Sequence, residues 1–131
     1  MKSALATFEI KNWDEQPYLE LEGGRKLTRA SVKKVFRGEL EGDGSVEYLM
    51  SYAEDGSATF VGLEYVTGQL AGRSGSFVVQ HLGTFAAGVA KDNWTVVAGS
   101  GAGDLKGLSG EFRFEDGHAQ QYQVTFDYDF K

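Results

Sequence analysis

The chain has 131 residues, no cysteine, and 19 acidic against 13 basic residues, which gives a net charge of −6. This length fits one domain over residues 1–131, and the lack of cysteine excludes disulfides and cysteine-rich zinc sites. The acidic balance argues against nucleic acids and anionic membranes as partners. No apolar run is long enough to cross a membrane and the N-terminus lacks a signal-peptide core, so we expect a cytoplasmic protein.

Runs of β-branched and aromatic residues, separated by turns that contain glycine, predict eight strands and no sizeable helix. The predicted strands run roughly over residues 4–13, 26–40, 44–54, 57–69, 73–86, 89–98, 108–115 and 119–130. The acidic stretch 13–24, between the first two strands, is predicted to be an irregular connector. Many consecutive strands with short turns indicate an all-β fold, an eight-stranded antiparallel up-and-down barrel. A β-sandwich is the alternative.

The turns determine which side chains share a face of the sheet. We place two-residue turns at Gly42-Asp43, Asp55-Gly56, Ala71-Gly72 and Ala87-Gly88. The predicted interior then comprises Phe8, Ile10, Val32, Lys34, Phe36, Glu47, Leu49, Phe60, Glu64, Val66, Phe77, Val79, His81, Phe85, Trp94, Val96, Tyr122, Val124, Phe126, Tyr128 and Phe130. A slip of one residue at any turn would exchange inward and outward side chains.

The predicted outer face differs between strands. Arg29, Lys33 and Arg37 mark the outside of the second strand as solvent-exposed. The outside of strands three to five is instead apolar, with Val46, Tyr48, Met50, Tyr52, Val61, Leu63, Tyr65, Val78 and Leu82. Soluble monomers seldom expose so large an apolar patch. We therefore expect a homo-oligomer, with a dimer as the first choice by symmetry, joined through Tyr48, Met50, Tyr52, Val61, Leu63 and Tyr65.

Three ionisable side chains on the predicted inner face are candidates for chemistry. Glu64 and His81 would be diagonal neighbours across one hairpin, and Glu47 would lie opposite Glu64. A carboxylate beside an imidazole in an apolar lumen has the parts of a general base and its orienting partner. The alternative is a structural network, in which Lys34 and His81 neutralise the buried glutamates. A metal site at His81, Glu64 and Glu47 would be unusual with Lys34 nearby, so we expect no metal and no cofactor.

Several motifs also carry a family resemblance. They are Leu27-Thr-Arg-Ala-Ser31, Phe60-Val-Gly-Leu-Glu64, Gly75-Ser-Phe-Val-Val-Gln-His81, Trp94-Thr-Val-Val97, Gly99-Ser-Gly-Ala-Gly-Asp-Leu105 and Phe126-Asp-Tyr-Asp129. Together they resemble the bacterial domain-of-unknown-function 3224 family, which is similar in fold to the allene oxide cyclase barrels. The resemblance implies a calycin-like barrel that is commonly oligomeric, and it would allow a trimer in place of a dimer. It implies no function.

Three functions fit these observations. The first is a barrel that binds a small apolar or amphipathic molecule in its lumen, lined by Lys34, Phe36, Glu47, Phe60, Glu64, Phe77, His81, Trp94 and Tyr128. The second is a cofactor-free isomerase or cyclase on an apolar substrate, with Glu64 and His81 as its catalytic candidates and Glu64 as the base. The third is a structural or assembly role, because side chains can fill an eight-stranded barrel completely.

Overall fold

The structure is a computed structural model that describes residues 1–114 and 122–131. The strands in these residues are β1 (Lys2–Glu20), β2 (Lys26–Gly38), β3 (Leu40–Tyr52), β4 (Ala58–Leu70), β5 (Arg73–Ala86), β6 (Val89–Val96), β7 (Ala102–Gly103), β8 (Leu108–Phe114) and β9 (Tyr122–Phe130). A single 3-10 turn, Glu22–Gly24, follows β1. The predicted end of a strand at 115 and the predicted start of the last one at 119 lie outside the described residues.

Eight of the strands close into an antiparallel barrel. The order is β4-β3-β2-β1-β9-β8-β6-β5, and pairing of β4 with β5 completes the ring. The two-residue strand β7 adds to β5 through Gly75 and Ser76. The predicted barrel is therefore confirmed, with one extra short strand. None of the described residues form a helix long and apolar enough to cross a membrane.

The predicted connector over residues 13–24 is wrong, because β1 continues to Glu20 and pairs with β2 from Ala6 to that residue. A register shift between Ile10 and Asn12 places a bulge at Lys11. A bulge adds one residue to one strand and so reverses the alternation of its side chains. Phe8 faces inward before the bulge, and Trp13 faces inward after it, where its ring stacks on that of Tyr48. The broken alternation made this strand resemble a loop in the sequence.

The predicted register of β3 is also wrong at both ends. The turn before it comes at Gly38 and not at Gly42-Asp43, since Gly42 already pairs with Phe36. After β3, the chain reverses through five residues, 53–57, in which the Ala53 N–H donates to the Ser57 carbonyl at 2.8 Å. An odd number of loop residues, where two were predicted, shifts the pairing by one.

The shift exchanges the two faces of β3. Val46 and not Glu47 lies opposite Glu64. Val46, Tyr48 and Met50, predicted to face outward, are buried inside the barrel. Glu47 and Leu49, predicted to face inward, lie outside: Glu47 binds Arg29 on the outer surface, and Leu49 is exposed.

The remaining strands face as predicted. The turns at Ala71-Gly72 and Ala87-Gly88 have two residues each, with positive φ at all four positions, as a type I′ turn requires. Burial therefore alternates along β2, β4, β5, β6 and β9 in the predicted sense. Phe85 and Ile10 belong to the inner face as predicted but sit near its end, where they are 42 % and 40 % exposed.

One end of the barrel is solidly filled. The rings of Phe112 and Phe126 stack with their centroids 4.1 Å apart, and the centroids of Phe77 and Phe126 are 5.9 Å apart. The same cluster also contains Leu40, Leu70, Leu105, Leu108, Phe36 and Tyr128. A separate, smaller cluster occupies the other half, with Ala30, Val32, Val46, Tyr48, Met50, Ala58 and Phe60. Side chains thus occupy the lumen in this half of the molecule, and the structural or assembly role stays a hypothesis.

The apolar outer face is smaller than predicted, because Tyr48 and Met50 belong to the interior and Tyr52 packs against it. Its exposed members are Leu49, Val61, Leu63, Tyr65 and Leu82.

The homo-oligomer stays a prediction that now rests on these exposed residues. Sedimentation of the native chain should show a dimer or trimer, and Leu63→Glu should dissociate it into folded monomers, because a charge would be buried in the contact. A wild-type monomer would contradict this prediction.

Candidate functional site

Four charged or ionisable side chains meet inside the barrel, each from a different strand. Lys34 Nζ on β2 donates to Glu64 Oε1 on β4 at 3.1 Å. The same Glu64 oxygen lies 2.7 Å from His81 Nε2 on β5. On the far side of the ring, His81 Nδ1 lies 2.8 Å from Asp92 Oδ2 on β6. We call Lys34, Glu64, His81 and Asp92 the charge chain; its side chains are at most 8 % exposed.

The charge chain confirms the predicted burial of Glu64 and its coupling to His81. Pairing of β4 with β5 sets His81 opposite Gly62, so Glu64 is its diagonal neighbour on the inner face. Trp94 lies directly opposite His81, and their ring centroids are 4.6 Å apart. These positions were predicted correctly because the two-residue turns on either side of β5 were placed correctly.

Both ring nitrogens of His81 face carboxylate oxygens. A neutral imidazole donates from one nitrogen only, so with both carboxylates ionised the ring must carry its second proton. Burial lowers the pKa of His81, but its hydrogen bonds to Asp92 and Glu64 together raise it above the ordinary value of 6.5. The charge chain then alternates as ammonium, carboxylate, imidazolium and carboxylate.

Glu64 is held tightly at the centre of the charge chain. Burial raises its pKa, but Lys34 and His81 lower it by more in sum, so the pKa lies below its ordinary value of 4.5. Glu64 Oε2 approaches the β3 backbone so closely that a Cβ on Gly44 would clash with it. Glycine at position 44 therefore makes room for the carboxylate, and Oε2 has no hydrogen-bond partner among the described residues.

Aromatic rings surround the charge chain. Lys34 Nζ lies 4.2 Å from the ring centroid of Trp94 and 5.0 Å from that of Phe8, which are cation–π distances. The ring of Tyr48 meets His81 edge to face at 5.4 Å. Burial, and then the charges of Glu64 and Asp92, raise the pKa of Tyr48 well above its ordinary value of 10.0. These rings shield the charges from water.

A cavity of about 780 Å³ occupies the half of the barrel that is not filled. Its lining is mostly apolar and consists of Phe8, Ile10, Trp13, Lys34, Tyr48, Met50, Tyr52, Gly56, Ala58, Phe60, Phe85, Gly88, Ala90, Asp92, Trp94, Phe114 and Tyr122. Trp13 is 45 % exposed and Ile10 and Phe85 are similar, whereas Lys34 and Trp94 are each 3 % exposed. The cavity therefore has an outer end at the barrel rim and an inner end at Lys34 and Trp94.

The cavity includes only some of the residues predicted to bind a ligand. Lys34, Phe60 and Trp94 line it. Glu64 and His81 do not line it, since they are fully buried behind Lys34 and Asp92. The other predicted residues lie elsewhere: Phe36, Phe77 and Tyr128 belong to the cluster centred on the filled end, and Glu47 lies on the outer surface.

Among the polar residues of the cavity that sequence reasoning missed are Asp92 and Tyr48. Asp92 precedes the inward Trp94 by two positions, so strand alternation alone would have placed it inside. Tyr48 was missed because the predicted register of β3 was shifted by one residue. Its ring also needs Gly62 opposite, where a Cβ would lie 2.7 Å from Tyr48 Cδ1.

The alternative of a metal bound by His81, Glu64 and Glu47 is wrong in its ligand set, because Glu47 lies outside the barrel. Asp92 does not replace it, since Asp92 and Glu64 bind different nitrogens of the imidazole and so cannot meet at one ion. Within residues 1–114 and 122–131, no group of three metal-ligating side chains is arranged to hold an ion.

Titration of the charge chain predicts a stability optimum in mildly acidic solution. A raised His81 pKa contributes stability that is complete below 6.5 and is lost as pH rises through the folded-state pKa. A lowered Glu64 pKa contributes stability that is complete above 4.5 and is lost as pH falls through its folded-state pKa. Urea unfolding across pH should therefore show stability highest between these two values.

Two histidine variants isolate the alkaline side of this profile. His118→Asn removes the other histidine of the chain and should keep the decline in stability above neutrality. His81→Gln should flatten that decline, because glutamine does not titrate. A decline that survives in His81→Gln and disappears in His118→Asn would contradict the assignment.

Comparison with known proteins bears on the whole chain. A family model described as a protein of unknown function (DUF3224) matches residues 4–128. The crystal structure of a protein with unknown function from the DUF3224 family of Shewanella oneidensis MR-1 is 34 % identical, with a TM-score of 0.84. The match covers 100 % of this chain and 98 % of that one. No curated protein matches the sequence.

Proposed function

This chain belongs to the DUF3224 family, whose description assigns no function. We propose from its own structure that it binds a small apolar or amphipathic molecule in the cavity. The supporting observation is the cavity itself. At about 780 Å³ it falls within the roughly 300–1,000 Å³ range of small-molecule sites. The cytoplasmic location expected from the sequence stays part of this proposal.

The lining suggests how such a molecule would be oriented. Apolar side chains such as Met50, Phe60 and Phe85 would enclose its body toward the rim. Lys34 and Asp92, the two charged residues of the lining, would meet its polar end at the inner end of the cavity. An apolar cavity lined with a few convergent polar groups is typical of ligand sites.

The isomerase alternative gains no support from this geometry. Glu64 does not line the cavity, and its carboxylate is bound to Lys34 and His81. Its lowered pKa also makes it a weaker base than an ordinary glutamate. A base must reach the proton that it removes, so we do not propose Glu64 as a catalytic residue.

An environment-sensitive dye tests the binding proposal. N-phenyl-1-naphthylamine is small, apolar and neutral, and its fluorescence should rise saturably as it enters the cavity. Ala90→Trp, which fills the outer part of the cavity, should weaken dye binding by roughly tenfold or more. Lys91→Trp is the matched control, because residue 91 is exposed on the outer face of the same strand. Absence of saturable binding, or equal losses in both variants, would contradict the proposal.

A further inference from the structure

We propose that the ligand is an aromatic molecule whose inner end is an uncharged hydroxyl, or another neutral group that both donates and accepts a hydrogen bond. This inference rests on the proposed function, because it concerns what the same cavity selects. Three features of the described residues carry it: the balance of charge at the inner end, the unpartnered polar atoms there, and the rings along the walls.

The first feature is the charge balance. Glu64 compensates Lys34, and Asp92 compensates the His81 imidazolium, so the charge chain is neutral as a whole. An anionic ligand group would find its one cation, Lys34, already paired, and a cationic group would find Asp92 already paired. An added charge in so buried a place would lack a counterion, and burying an unpaired charge is strongly unfavourable. The balance therefore favours a neutral group.

The second feature is two unpartnered polar atoms on residues that line the cavity. Asp92 Oδ1, an acceptor, and Trp94 Nε1, a donor, are buried and have no hydrogen-bond partner among the described residues. Both residues line the cavity, and the Asp92 side chain is 8 % exposed. Buried polar groups without partners are rare and costly. Neither atom is open to water in the free protein. Both side chains would therefore reorient slightly so that a ligand hydroxyl donates to Asp92 and accepts from Trp94.

The third feature is the aromatic wall. Nine lining residues are aromatic: Phe8, Trp13, Tyr48, Tyr52, Phe60, Phe85, Trp94, Phe114 and Tyr122. Seven of them, all but Tyr52 and Phe85, pair with another ring of the lining, such as Tyr48 with Phe60 at a centroid distance of 5.4 Å. Aromatic pairs stabilise a contact beyond what the burial of area contributes. A planar ring system would extend these pairings, whereas a flexible alkyl chain would not.

Four naphthalenes of one size test the inner group. Naphthalen-2-ol, naphthalene, 2-naphthoate and 2-naphthylmethylammonium should each be titrated against bound N-phenyl-1-naphthylamine at about pH 6, where His81 is charged. The naphthol should displace the dye at concentrations roughly tenfold or more below those of the other three. Equal affinity of naphthol and naphthalene, or tighter binding of either charged compound, would overturn the inference.

Two variants localise the preference. Asp92→Asn, which keeps the shape of the side chain, and Trp94→Phe, which removes the donor N–H, should each reduce the advantage of naphthol over naphthalene severalfold. The exposed Asp43→Asn should leave that advantage unchanged. Should Asp92→Asn fail to fold, Trp94→Phe still decides, because it removes only the donor N–H and part of the ring. An advantage that both folded variants retain would also overturn the inference. If the dye itself does not bind, the proposed function fails, whereas dye binding without a naphthol preference defeats only this inference.

Discussion

Glu64→Gln is expected to lower the free energy of unfolding by about 3–5 kcal/mol, the usual cost of removing one partner from a buried ion pair. Glutamine keeps the shape of the side chain but removes the charge that Lys34 and His81 share. Lys34 is 3 % exposed, so its ammonium would remain buried without a compensating carboxylate. The loss should appear as a lower urea midpoint with an unchanged slope.

Two further variants test whether charge is the cause. Glu47→Gln breaks a pair with Arg29 on the outer surface, where the side chains are 45 % and 65 % exposed, and should cost less than about 1 kcal/mol. Lys34→Met in the Glu64→Gln background should restore part of the stability, because the uncompensated cation is then gone. Equal stability of wild type and Glu64→Gln would show that the buried carboxylate does not stabilise its neighbours.

Trp94→Ala is expected to cost about 3–5 kcal/mol, the usual range for truncating a buried aromatic side chain. The indole is buried in the larger cluster and also lines the cavity: its ring centroid lies 5.4 Å from that of Phe8 and 5.2 Å from that of Phe112. Its loss would enlarge the cavity toward the filled end and remove the ring that faces the Lys34 ammonium. Thermal and urea unfolding should both report the decrease.

Trp13→Ala is the matched control. This indole is 45 % exposed at the rim, so its removal should cost far less than that of Trp94. Because the chain has two tryptophans, each variant keeps a single indole whose intrinsic fluorescence can be followed alone. Equal costs for Trp13→Ala and Trp94→Ala would contradict the buried, densely packed position assigned to the inner indole.

The sequence predicted the fold and much of the candidate site. The inward faces of β4, β5 and β6 and the pairing of Glu64 with His81 follow from alternation along strands joined by two-residue turns. The barrel itself follows from the number of strands and the shortness of their connections. Alternation is local, because successive side chains of a strand must point to opposite faces. Every residue of such a strand is therefore assigned once a single inward residue, such as Phe77, has been identified.

The tertiary structure decided which faces of β1 and β3 point inward, because alternation within one strand does not determine the orientation of the next strand. The five-residue loop after Tyr52 exchanged the faces of β3, and the bulge at Lys11 reversed β1. Hydrogen bonds within residues 53–57 set the length of the loop, and the pairing of β1 with β2 sets the bulge. The volume of the side chains also decides which half of the lumen is filled. Phe77, Phe112 and Phe126 stack at one end. At the other end, Gly62 and Gly83 leave space beside the rings of Tyr48 and Phe60. Packing of side chains from eight strands sets that volume, and no single stretch of sequence contains it.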